Sequence, residues 1–181
     1  MRKMREDMIM FYLKLSFCIA AVFGYGILLW LYPFGIFTFV LGAAVCNWIA
    51  NLFHETGHFI AYNILALNWK RTVISWFVFE RGRGLRIDKK KRLYSASCTC
   101  EYHPEVAFWR YCVALLSGGL FCVVLSAAAL VLSFFSDGAL RSFLLCFGAV
   151  SLVNALANLL IPQSPDRAYI RRIKQEREKK E

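Results

Sequence analysis

His54, Glu55, Thr56, Gly57 and His58 place two imidazoles and a carboxylate within five residues. On a helix, positions i and i+4 share a face, so His54 and His58 can grip one metal ion between them. Glu55 then stands beside a water polarised by that ion, where it can take a proton. The spacing predicts zinc-assisted hydrolysis, with His54 and His58 as ligands of one Zn2+ and Glu55 as the base. The motif sits inside an apolar run from Phe34 to Leu67. Ionisable groups placed in hydrocarbon mark a functional site by default.

A catalytic zinc keeps three protein ligands and one open position, so a third ligand must come from elsewhere in the chain. His103, the only other histidine, lies in a basic segment. Asp166 follows an apolar stretch carrying Ser151, Asn154 and Asn158 and interrupted at Pro162 and Pro165. Asp137 is expected at the opposite membrane face, and Glu176, Glu178 and Glu181 stand in a charged tail. Taken residue by residue, this leaves His103 and Asp166 open. Asn47 and Asn51 fall on roughly the same helix face as the histidines, a polar stripe that must look toward protein.

Two motifs together resemble the site-2 proteases, a family of intramembrane zinc metalloproteases. That family pairs H-E-x-x-H on one membrane helix with an N-x-x-P-x-P-x-x-D-G-like motif at the end of a later one. Here the second motif reads Asn158-Leu159-Leu160-Ile161-Pro162-Gln163-Ser164-Pro165-Asp166, with Arg167 in place of the glycine and the prolines shifted. The family's G-P-x-x-N element would fall at Gly118-Gly119-Leu120-Phe121-Cys122, which keeps only the glycine. The resemblance implies that Asp166 is the third zinc ligand. It also implies a substrate-positioning or oxyanion role for Asn158, with Asn154 on the same helix. The implied substrates are transmembrane or membrane-tethered proteins, with a regulatory membrane partner in place of a built-in sensing domain. The alternative is a non-proteolytic membrane factor, of an immunity or export type, that holds zinc structurally.

The elements that must carry these residues are membrane helices. Hydrophobic residues make up 59% of the 181-residue chain, above the roughly 45–50% of soluble domains. Four apolar stretches are long enough for a bilayer, at about 9–32, 40–66, 107–135 and 139–161. The fold class expected is an all-α polytopic membrane protein forming one domain over residues 1–181. The apolar stretch behind the basic N-terminus is too long for a signal-peptide core. A net charge of +10 would fit nucleic acid, but the basic residues gather beside the apolar stretches. That is the pattern of loops and tails facing the cytoplasm and anionic lipid. The reading is therefore both termini cytoplasmic, the lipid bilayer as partner, and no nucleic acid.

Between the second and third apolar stretches, Thr72–Phe79 is β-branched and aromatic, and Arg81-Gly82-Arg83-Gly84 signals a turn. A short cytoplasmic-side hairpin is expected, with Trp76 and Phe77 near headgroup depth. Its Val73–Phe79 part is a candidate to hold a substrate strand by β-augmentation. Cys98, Cys100 and His103 form a conceivable second metal site, although a C-x-C with one histidine is a thin ligand set. The tail from Tyr169 to Glu181 carries mixed charges and is read as a solvated helical extension or frayed end.

Overall fold

A computed structural model describes residues 2–74, 77–88, 96–103 and 105–178. The chain forms α1 (Arg2–Leu31) and α2 (Ile36–Ile64), then strands β1 (Trp69–Ile74), β2 (Phe77–Glu80), β3 (Gly84–Ile87) and β4 (Ala96–Cys100). Helices α3 (Phe108–Ser133), α4 (Gly138–Leu160) and α5 (Pro165–Glu178) follow. Four of these helices are long and apolar enough to cross a membrane. They match the expected stretches closely, although α1 runs back into the basic N-terminus and α2 starts just after the Pro33 and Gly35 turn.

The outer surfaces of these helices are apolar. Trp30 and Phe135 are 82% and 83% exposed, and Phe17, Phe23, Phe37 and Val124 are also bare. Apolar surface on this scale is not carried by a monomer in water and fits contact with lipid chains. Inside the bundle, small and polar side chains hold the helices together, as expected where no hydrophobic force drives helices together in lipid. Ser126 donates from its hydroxyl to the carbonyl of Gly148, joining α3 to α4 at 2.6 Å. Asn154 donates through its amide to the side-chain oxygen of Asn47, joining α4 to α2 at 2.7 Å. Ser142 at the start of α4 bonds to the carbonyl of Pro33 in the α1–α2 turn.

The segment between α2 and α3 is a four-stranded antiparallel sheet of order β3-β2-β1-β4, which corrects the expected single hairpin. The β2–β3 hairpin turns where the Arg81–Gly84 signal placed it, with Gly82 and Gly84 at positive φ. The stretch read as one strand from Thr72 to Phe79 divides into β1 and β2, paired with each other. Trp76 lies outside the described residues, and Phe77 is exposed. The missed strand is β4, whose Cys98 and Cys100 point inward while Ser97 is exposed. Period-two alternation therefore accounts for the C-x-C spacing.

Because the sheet links the end of α2 to the start of α3, it lies at that end of the bundle. A core of Tyr62, Leu67, Cys98, Cys100, Tyr111 and Leu115 binds it to both helices. Helix α5 joins the same core through Ile173, which is 1% exposed. Part of the tail read as solvated is thus an amphipathic helix docked on the sheet end.

Candidate metal centre

Helix α2 carries His54 and His58 one turn apart, both buried, with their ring nitrogens aimed at one spot. The two Nε2 atoms lie 3.1 Å apart. His58 Nδ1 is 2.8 Å from the carbonyl oxygen of Ala114 on α3. A carbonyl only accepts, so Nδ1 carries the proton and Nε2 offers its lone pair to the site. This second bond orients the ring in the way metal-binding histidines are usually oriented.

The third group arrives from the far end of the chain. Pro162 lacks an N–H and so ends α4, leaving the carbonyl of Asn158 without its helical donor. The hydroxyl of Ser164 donates to that carbonyl at 2.9 Å. The carbonyl of Ser164 then accepts the N–H of Ala168, so Ser164 opens α5 with Pro165 in its first helical position. Asp166 follows in the first turn, where a carboxylate is favoured by the helix dipole. Its Oδ2 lies 3.0 Å from His54 Nε2 and its Oδ1 3.4 Å from His58 Nε2.

Among the described residues, His54, His58 and Asp166 form the one histidine, cysteine and carboxylate group able to hold a metal, with ligand atoms all within 4.8 Å. Four ligands placed tetrahedrally at zinc-like distances stand roughly 3.3 Å from one another. The observed 3.0, 3.1 and 3.4 Å separations fit a shared ion. Glu55, 5% exposed, leaves Oε2 with no hydrogen-bond partner among the described residues. A buried carboxylate oxygen without a partner thus stands at the same cavity as three convergent groups that could hold a metal.

A cavity of about 370 Å³ opens beside these groups, lined by Glu55, Asp166, Asn158, Ser97, Thr99 and Tyr169 among others. Asn158 therefore faces the cavity. Asn154 is not among the lining residues, and its amide is engaged with Asn47. Asn51, from the stripe upstream of the histidines, also borders the cavity. His103 stands elsewhere, with its Nε2 3.3 Å from the Asn68 amide and its Nδ1 3.4 Å from Glu105.

The expected strand-holding role of Val73–Phe79 is corrected by the sheet order. β1 is paired by β2 and β4, and β2 by β1 and β3, so neither has an edge to offer. The strand beside the cavity is β4, an outer strand of the sheet. Cys98, Cys100 and His103 do not converge as metal ligands. Cys98 Sγ lies 3.1 Å from Thr72 Oγ1, and burial pushes its thiol up to about 12. Burial likewise raises the Cys100 thiol.

Some of this site had no signal in the motifs. The Ala114 carbonyl, the Ser97–Thr99 lining and Tyr169 come from backbone packing and from strand β4, which lies outside the expected hairpin. No family model matches the chain, and neither a curated protein nor a solved structure does.

Proposed function

We propose that this chain is an intramembrane zinc metalloprotease of the site-2 type, cutting transmembrane or membrane-tethered protein substrates. The observation that carries the reading is the convergence of His54 and His58 from α2 with Asp166 from α5, beside the oxygen of Glu55 that has no partner among the described residues. Three ligands and an adjoining cavity suit catalysis, since structural zinc sites are usually closed by four protein ligands. The four apolar helices supply the membrane setting.

Zinc held by His54, His58 and Asp166 would polarise the scissile carbonyl and lower the pKa of a water at the open position. Glu55 would accept a proton from the attacking water as it adds to the carbonyl carbon. It would then return the proton to the departing amine as the C–N bond breaks. Asn158, on the cavity wall, is placed to orient the substrate or donate to the developing oxyanion. An extended substrate segment would lie along β4, whose Ser97, Cys98 and Thr99 border the same cavity. A helical substrate must unwind there, because its carbonyls are otherwise held by its own backbone.

The distribution of Lys and Arg supports a reading in which the sheet, the site and both termini face the cytoplasm. Reporter fusions at either terminus that read out on the far side would refute this orientation. A regulatory membrane partner, if one acts, has the lipid-facing surface of α1 available.

The decisive experiment uses detergent-purified, zinc-loaded protein with β-casein as an unfolded substrate. Wild-type protein should cleave it, while Glu55→Gln should lose about 10²-fold or more in rate and keep its zinc. Equal cleavage by wild type and Glu55→Gln would refute the proteolytic reading. Zinc retained with no Glu55-dependent cleavage would favour a structural zinc site.

A further inference from the structure

Helices α2 and α3 cross at two glycines. A Cβ on Gly57, inside the H-E-x-x-H segment, would lie 2.9 Å from both the Ser117 carbonyl oxygen and Phe121 Cβ, and 3.0 Å from Gly118 Cα. A Cβ on Gly118 would lie 2.6 Å from His58 Nε2, 2.7 Å from His58 Cε1 and 2.8 Å from the carbonyl oxygen of His54. Neither position tolerates a methyl without movement. The close crossing is itself bonded, since the Ser117 hydroxyl donates to the carbonyl of Gly57 at 3.0 Å. It also brings the Ala114 carbonyl within 2.8 Å of His58 Nδ1.

These facts join at His58. One edge of its ring is held by the Ala114 carbonyl, and the opposite edge, which presents Nε2, lies against the bare Cα of Gly118. Ala114 and Gly118 are four residues apart, so they stack on one face of α3 and enclose the ring between them. Of the groups around the site, Gly118 is the one whose missing side chain leaves room for the ligating nitrogen.

We propose that Gly118 is a positioning residue for the metal centre, its absent Cβ being the space that the metal-facing edge of His58 occupies. The inference rests on the reading of His58 as a ligand. A side chain at this position tilts Nε2 away from His54 and Asp166, and the Ala114 carbonyl cannot follow. Gly119, the next residue, serves a different contact: the three nearest atoms to its added Cβ would all belong to Leu159 of α4, the first at 2.8 Å.

The test uses the full-length protein in detergent, with Gly118→Ala introduced alone and together with His58→Ala, and Gly119→Ala as the packing control. In chelator-treated protein, Gly118→Ala should lower Tm when His58 is present and do so much less when the ring is gone. Gly119→Ala should lower Tm by the same amount in both backgrounds. In zinc titration, Gly118→Ala should weaken binding by about 10-fold or more, the usual scale for disturbing a ligand's support, while Gly119→Ala should not.

An equal Tm loss in the two His58 backgrounds overturns the proposal, because the methyl would then be rejected by the helix backbone alone. Failure of Gly118→Ala to fold in both backgrounds has the same meaning and also overturns it. Unaltered zinc affinity in folded Gly118→Ala overturns it as well. A wild-type protein that binds no zinc would instead remove the metal reading, and the metal-free Tm comparison would still decide whether Gly118 makes room for the His58 ring.

Discussion

Ser164 donates its hydroxyl to the carbonyl of Asn158 across the break between α4 and α5, at 2.9 Å. That carbonyl would have bonded to residue 162, had residue 162 not been a proline. The bond turns a broken helix end into a fixed corner, two residues before Asp166. Ser164 is 7% exposed, so water is a poor substitute for its hydroxyl.

Ser164→Ala should therefore cost about 0.5–1.5 kcal/mol of stability, the usual net worth of one hydrogen bond. It should also weaken zinc binding without removing a ligand. Thermal unfolding with and without zinc would measure both. Unchanged zinc affinity would show that the corner does not set the Asp166 position.

Asp166 and His103 were the two candidates for third ligand, and the geometry separates them. Asp166→Ala should strip zinc from the purified protein, whereas His103→Ala should leave it stoichiometric. Elemental analysis of the two variants decides the matter. Zinc retained by Asp166→Ala and lost by His103→Ala would reverse the assignment.

Asn154 and Asn158 share a helix but should behave differently. Asn154→Ala breaks the bond to Asn47, and hydrogen bonds of this kind between membrane helices average ~0.6 kcal/mol. Its effect should fall on stability, with catalysis per folded molecule little altered. Asn158→Ala should instead lower kcat by up to about 10²–10³-fold if it stabilises the oxyanion. Casein cleavage normalised to folded, zinc-loaded protein would tell them apart.

The thiols of Cys98 and Cys100 should be poor nucleophiles. Burial raises both above the ordinary thiol range, Cys98 to about 12, so the thiolate is scarce at neutral pH. Iodoacetamide at pH 7.5 should leave them unmodified in folded protein and label them after denaturation in SDS. Labelling should begin only as pH rises toward the raised values. Rapid labelling of Cys98 in folded protein at pH 7.5 would contradict its burial.

The helical part of this protein was legible because membrane spans announce themselves by length and apolarity. His54, Glu55 and His58 were legible through the period of the helix, and Asp166 through the resemblance of the Asn158–Asp166 stretch to a family motif, since the residues alone left His103 open as well. Strand β4 was not, because Ala96, Ser97, Cys98, Thr99 and Cys100 differ too little in polarity for alternation to stand out. The Asn47–Asn154 bond joins residues 107 positions apart, and no local pattern encodes such a partner. Consecutive glycines at 118 and 119 were visible, but their separate duties toward His58 and Leu159 depend on how three helices meet.

Tyr169 lies three residues beyond Asp166 on α5, and its hydroxyl donates to the carbonyl of Cys100 on β4 at 2.9 Å. Asp166 and β4 are thereby coupled through one short helix. Displacement of the strand pulls on the carboxylate, and loosening of the carboxylate slackens the strand. Under the proposed function, metal retention and the fit of a substrate along β4 would report a single mechanical coordinate, which runs through the C-terminal helix.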